Sequence, residues 1–412
     1  MDTRFLMPLF VAMLFTFPLT ESQIISRPPG TAIVVLLVLS IAFVFFIRGD
    51  LVAKIPRLAI YTFFPLAAIL IGHVYLLEFS EATTALLPVY MFFVASVLLF
   101  IIPYRLNPSI AYSYVARVAA LIGLIGLPAA IWGQFDYGVF TLSTTVSPAN
   151  DLLPPIGVNP LYSVYRNPNF LAKLLFVGLV ASFGEWIAYN NRIGALLVVL
   201  NTMLLYLTES RGGMVAALVG VIALLGYYGV DQRLAVIGAC SGVASVAAAL
   251  ITVVVAPSQV AEVVDLTGRL SIWSGTVDTV AHTNPVFGPG LVGSEFLSQT
   301  VGLTVPSPHS TYFKMLLRAG GVGLVLWIVL LWGSLLDGVY QRVHPTAVAV
   351  GAGFIVLGFI EGPNVFGTGT GSLLLTLTIG YLLTKSPGYT IQFVADERRD
   401  TKSASFTVNR YD

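Results

Sequence analysis

Apolar stretches long enough to cross a lipid bilayer recur along almost the whole chain, separated mostly by short polar joints. They fall at about 5–20, 30–47, 58–79, 83–103, 111–132, 170–189, 193–209, 214–230, 234–256, 312–336, 346–361 and 370–384. A membrane helix needs about 20 mostly apolar residues, because hydrocarbon leaves no unpaired backbone group unpunished. The pattern predicts an all-α polytopic membrane protein with about 12 transmembrane helices. The first run follows Arg4 as a signal peptide would, but no small-residue cleavage pattern closes it and a second span follows at once, so it reads as a helix. Two joints are long, about 133–169 and 257–311; they carry Trp, Tyr, Phe and Pro among polar residues, which favours ordered loops. Short interfacial helices are expected in the second. Residues 1–384 are expected to form a single transmembrane domain, and 385–412 a polar tail. No internal repeat is visible, and the inverted halves of many transporters are not evident.

Composition agrees and excludes other classes. Of 412 residues, 57% are hydrophobic and 10% charged. A soluble domain carries about 25% charged residues, so an ordinary soluble enzyme and a disordered chain are both excluded. A net charge of +1 argues against a nucleic-acid partner. The single cysteine, Cys240, permits neither an intrachain disulfide nor a Cys-based zinc site, and His73, His282, His309 and His344 are scattered, so no metal is expected. Basic residues set the orientation. With a cytoplasmic N-terminus and twelve spans, 13 of the 21 Lys and Arg lie in inside segments and both termini are cytoplasmic. Only Arg27, Arg166, Arg211 and Arg269 lie in outside loops; Arg117, Lys173, Lys314 and Arg318 lie within spans.

Three of the exceptions to that bias have marked surroundings. Glu209-Ser210-Arg211-Gly212-Gly213 forms a very tight outer turn. Its glycines let backbone approach a ligand, and free N–H groups at a helix start favour an anion. Arg211 adds a planar, permanently charged fork suited to phosphate, although a snorkelling arginine capping a helical hairpin would look the same. Thr267-Gly268-Arg269-Leu270-Ser271-Ile272-Trp273 puts Arg269 and Trp273 on one face of a helix at the membrane surface, with the indole at headgroup level. Pro308-His309-Ser310-Thr311-Tyr312 sets His309 at the outer mouth of a span, where an imidazole suits either a general base or a helix cap. Lys314 and Arg318 are four apart on that span and should face water, an acid or an anionic ligand rather than lipid; Glu361 is one candidate partner. Together these sites suit an anion with a polyprenyl tail.

In this order, Ser-Arg-Gly-Gly, Gly-Arg-Leu-x-Ile-Trp, Asn284-Pro285-Val286-Phe287-Gly288-Pro289-Gly290 and His-Ser-x-Tyr with a following Gly-Gly, the motifs resemble the O-antigen ligase and O-antigen polymerase superfamily. Asn167-Pro168-Asn169-Phe170 resembles it too, and the likeness is strongest from about 160 to 325. The resemblance implies a GT-C-type glycosyltransferase of the cell membrane. Such an enzyme transfers a glycan from a polyprenyl-diphosphate carrier to a glycan, glycolipid or protein acceptor on the extracytoplasmic face, without metal or cofactor and with inversion. It assigns diphosphate binding to Arg211 and Arg269 and acceptor activation to His309; Ser210, Gly212, Trp273, Lys314, Arg318 and Asn169 are candidate supporting residues read from the local sequence. Where ligases often have His-Asn, this chain has His309-Ser310. Chain extension of the polymerase kind, transport of a small anion such as bicarbonate, and a flippase or scaffold role are the other readings. A metal-dependent oligosaccharyltransferase would need acids clustered in early outer loops, where the first offers only Glu21.

Overall fold

Apolar periodicity becomes helix nearly everywhere it was expected. The structure, a computed structural model, describes residues 6–47, 55–76, 82–144, 158–229, 269–290, 293–302, 307–363 and 366–384. In these, α1 is Leu6–Thr16, continued by a 3₁₀ turn Phe17–Glu21; α2 is Arg27–Ile47, α3 Arg57–Leu76, α4 Ala82–Phe100, α5 Ile102–Arg105 and α6 Pro108–Trp132. Then come α7 Pro168–Tyr189, α8 Arg192–Leu207, α9 Arg211–Gly229, α10 Arg269–His282, α11 Gly293–Val301, α12 Thr311–Tyr340, α13 Pro345–Ile360 and α14 Thr370–Leu383. Eleven of the twelve apolar runs coincide with described helices; the run 234–256 and the tail 385–412 lie outside the described residues. Seven helices are long and apolar enough to cross a membrane, and four apolar ones are shorter, at 10–17 residues.

Local chemistry sets the helix starts. The side-chain oxygens of Asn107, Asn167 and Asn191 accept from the backbone N–H of Ser109, Asn169 and Gly194, and proline follows the first two caps at once. Helices α7 and α14 are mostly apolar and buried on almost every side, so they form the centre of the bundle. The outward faces of α2 and α9 instead present Leu36, Phe43 and Phe46, and Leu218, Ile222 and Leu225. Such faces suit lipid, which costs them nothing.

Joints between helices gather at two opposite ends. At one end, Gln23 N–H donates to Val164 O at 2.9 Å, Leu161 N–H to Leu207 O at 2.8 Å, and Thr370 N–H to the Glu21 carboxylate at 3.0 Å. At the other, Ser109 Oγ lies 2.8 Å from His344 Nε2, and Tyr227 OH donates to Val343 O. In the long loop after α6, Gln134–Asp136 and Thr141–Ser143 pair as a small antiparallel hairpin. Helix α10 is not simply a surface helix, because its Trp273, Thr276, Thr279 and Val280 face is buried against α11 and α12.

Candidate functional site

The first joint is built by small residues. Thr208–Ser210 turn the chain between α8 and α9, with Glu209 in the left-handed region at φ 56°. Ser210 is buried and its Oγ accepts from Gly213 N–H at 3.4 Å, an N-cap that leaves exposed Arg211 as the first helical residue. A Cβ on Gly212 would stand 3.1 Å from Ile360 Cγ2, and one on Gly213 2.8 Å from Ala172 Cβ. The room these glycines leave is therefore taken by α13 and α7, not left open for a ligand. Their effect is to seat Arg211 beside the C-terminal end of α13.

That end is the hub of the site. Arg269 Nη1 donates to Ile360 O at 2.5 Å, and Gly212, next to Arg211, packs against the Ile360 side chain, so the starts of α9 and α10 both meet this end of α13. The Glu361 carboxylate, 7% exposed, has Lys173 Nζ at 3.4 Å and Arg269 Nη2 at 4.0 Å. Lys314 Nζ donates to Gly362 O at 2.7 Å. Glu361 was one candidate partner for Lys314; Lys314 takes the next carbonyl instead, and Lys173 and Arg269 take the carboxylate. Lys173, the fourth residue of the apolar run at 170–189, is a site residue that sequence reasoning placed only as lying within a span. Arg318 lies one turn further along α12, near Lys314 and Arg27. Asn169 opens α7 one turn before Lys173, its N–H held by Asn167.

His309 stands at the rim. Its φ of 50° turns the chain sharply, and pins on both sides hold that turn. Before it, Trp273 Nε1 donates to Pro308 O at 2.7 Å while its ring stacks on Phe313, with centroids 5.0 Å apart. Trp273 is thus an internal strut for the His309 loop. After it, Ser310 Oγ donates to Gly358 O at 3.1 Å, and Thr311 Oγ1 donates to Pro363 O and lies 3.3 Å from Glu361 O. The imidazole itself is exposed. Desolvation by the surrounding protein lowers its pKa; Glu361 opposes this, while Arg269, Lys314 and Lys173 add to it. The neutral ring therefore dominates at neutral pH.

A broken helix supports this arrangement. Within α12, Gly320 has φ 65° and ψ −164°, outside helical space. Gly321 N–H donates to Pro285 O at 2.9 Å and Val322 N–H to Val286 O at 3.1 Å, in place of the carbonyls of Leu317 and Arg318. A Cβ on Gly320 would lie 2.4 Å from the Val286 carbonyl, and one on Gly288 2.6 Å from Gly320 N. The Asn284–Gly288 turn thus plugs the gap in α12. Two motifs more than 30 residues apart form one joint, and the Thr311–Ala319 segment that bears Lys314 and Arg318 becomes a separate short helix.

Electrostatically the cluster is unbalanced. Lys173, Arg269, Lys314, Arg318 and Arg27 form a connected set with the two carboxylates Glu21 and Glu361, five cations against two acids among the described residues. Such a set attracts anions.

The O-antigen ligase family model matches residues 196–328. The match bears out the superfamily resemblance, supports a membrane glycosyltransferase of that family, and covers Arg211, Arg269, His309, Lys314 and the Asn284–Gly288 turn. Lys173, Glu361 and Asn169 lie outside it. No curated protein matches the chain.

Proposed function

With the O-antigen ligase family as premise, we propose that this chain transfers a glycan from a polyprenyl-diphosphate carrier to an acceptor hydroxyl on the extracytoplasmic face, in one inverting, metal-independent displacement. The observation that carries the reading is the cation excess around the Ile360–Gly362 turn, beside a neutral histidine. The positive-inside bias supports the outer face. Arg211 and Arg269 grip the diphosphate, with Lys314 and Arg318 adding positive field. The acceptor oxygen attacks the anomeric carbon as the bond to the phosphate oxygen breaks. That electron pair leaves with the diphosphate, and the acceptor proton passes to His309. Charge grows on the leaving group as the bond breaks, so fixed guanidinium groups stabilise the transition state more than the ground state. The lipid tail lies against the apolar outer helix faces.

Purified protein given a defined lipid-linked oligosaccharide, candidate acceptors and EDTA should yield transferred product by mass spectrometry. A requirement for added magnesium, or full activity in Arg211→Ala, contradicts the proposal. Flux of a labelled anion in proteoliposomes that is lost in Arg211→Ala would favour a transporter instead.

A further inference from the structure

We propose that Glu361 is a built-in counter-anion, which competes with the substrate's diphosphate for Arg269 and so sets how readily the diphosphate product leaves. The proposal rests on the reading of Arg269 as a diphosphate ligand. Its own support is the geometry of the Ile360–Gly362 turn.

The two contacts of the carboxylate are unequal. Lys173 Nζ is at 3.4 Å, and both of those side chains are almost fully buried. Arg269 Nη2 is at 4.0 Å, the outer edge of an ion pair, on a side chain that is 21% exposed. Lys173 is thus the permanent partner, and it keeps the buried charge neutralised whatever Arg269 does. Arg269 is the partner free to turn outward. Its firm hold is not the carboxylate but the Ile360 carbonyl, at 2.5 Å. A guanidinium offers five N–H donors in a fixed fork, so one edge can stay on the carbonyl while another takes a phosphate oxygen. Thr311 Oγ1 donates to Pro363 O and lies 3.3 Å from Glu361 O, so the backbone of the turn keeps its place when the side chain changes.

Two roles for such a carboxylate predict opposite signs. If Glu361 merely aimed Arg269, its loss would weaken diphosphate binding. If it competes for Arg269, its loss would strengthen binding, because the aiming bond to Ile360 O survives and a negative charge has gone from an anion site. A partly solvated ion pair of this kind is worth up to about a fivefold change in affinity.

Farnesyl diphosphate, a short polyprenyl diphosphate, should be titrated calorimetrically into full-length protein in detergent. Glu361→Gln is expected to bind it up to about fivefold tighter than wild type, and Glu361→Asp, whose shorter arm retreats from Arg269, tighter by a smaller factor. In an Arg269→Ala background the Glu361→Gln gain should shrink to the small part that comes from removing a negative charge near the site, since the competition itself acts through that one side chain. Equal or weaker binding by Glu361→Gln overturns the proposal, as does a gain that is undiminished without Arg269. If Glu361→Gln does not fold, unchanged or weaker binding by Glu361→Asp overturns it equally. Wild-type protein that binds no farnesyl diphosphate overturns the proposed function and this inference with it, whereas wild-type binding with the wrong order of variants overturns this inference alone.

Discussion

Charged residues at the two ends of this bundle are handled in opposite ways. At the end away from the site, Arg117 meets Glu185 in a two-pronged pair, both bonds 2.8 Å, and Asn191 adds a third bond to the same carboxylate at 3.0 Å. In that pair each charge has one matched partner. At the site end, Lys173, Arg269, Lys314, Arg318 and Arg27 share Glu21 and Glu361, and two of the cations rest on backbone carbonyls instead. A matched pair holds helices together. An unmatched set costs stability on its own account and persists where a ligand supplies the missing charge.

The largest effects should come from the unmatched end. Arg269→Ala and Arg211→Ala should each lower transfer by about 100-fold or more while the protein still inserts and keeps its melting temperature, as shown by product formation beside thermal denaturation in detergent. Lysine at either position should restore little, because it lacks the fork.

His309→Gln should lower turnover by about 100-fold and leave diphosphate binding nearly unchanged, measured by kinetics and calorimetry on one preparation. The base form is the unprotonated ring. Activity should therefore rise with pH through the histidine's pKa, and since desolvation lowers that pKa the rise should centre below the ordinary value of about 6.5. A midpoint above that value would remove the assignment.

Gly320→Ala tests whether the joint matters. The added methyl meets the Val286 carbonyl at a positive φ, so the Asn284–Gly288 turn must shift. A loss of about 1–3 kcal/mol is expected, with activity falling alongside it, read by denaturation and by proteolysis of the 284–310 segment.

The smallest effect on chemistry should come from the matched end. Arg117→Met alone should cost about 1–2 kcal/mol of stability, discounted because that side chain is 38% exposed, with unchanged turnover per folded molecule. Arg117→Met with Glu185→Met should recover much of it. A specific loss of turnover here would break the contrast between the ends.

Much of this was legible from residue order alone. Eleven apolar runs became helices because a bilayer-length run has few other options. Arg211, Arg269 and His309 were visible because each interrupts apolar or loop sequence in a motif. Lys173 was not, since its partner is Glu361, and no local pattern connects residues so far apart. The break in α12 was hidden for a related reason. The apolar pattern runs straight through Gly320-Gly321, and only the Asn284–Gly288 turn, arriving from another part of the chain, supplies the carbonyls that let the helix open. The burial of Trp273 was not legible, because helical spacing gives a face but not what covers it; here Phe313 and Pro308 do.

The central claim is that arginines at the ends of α9 and α10 hold a diphosphate, and a cryo-electron microscopy map of the full-length protein with a polyprenyl diphosphate bound tests it most directly. The account predicts phosphate oxygens within hydrogen-bonding distance of both Arg211 and Arg269, beside the Ile360–Gly362 turn. A headgroup seated elsewhere, with both guanidinium groups turned away from it, would contradict it.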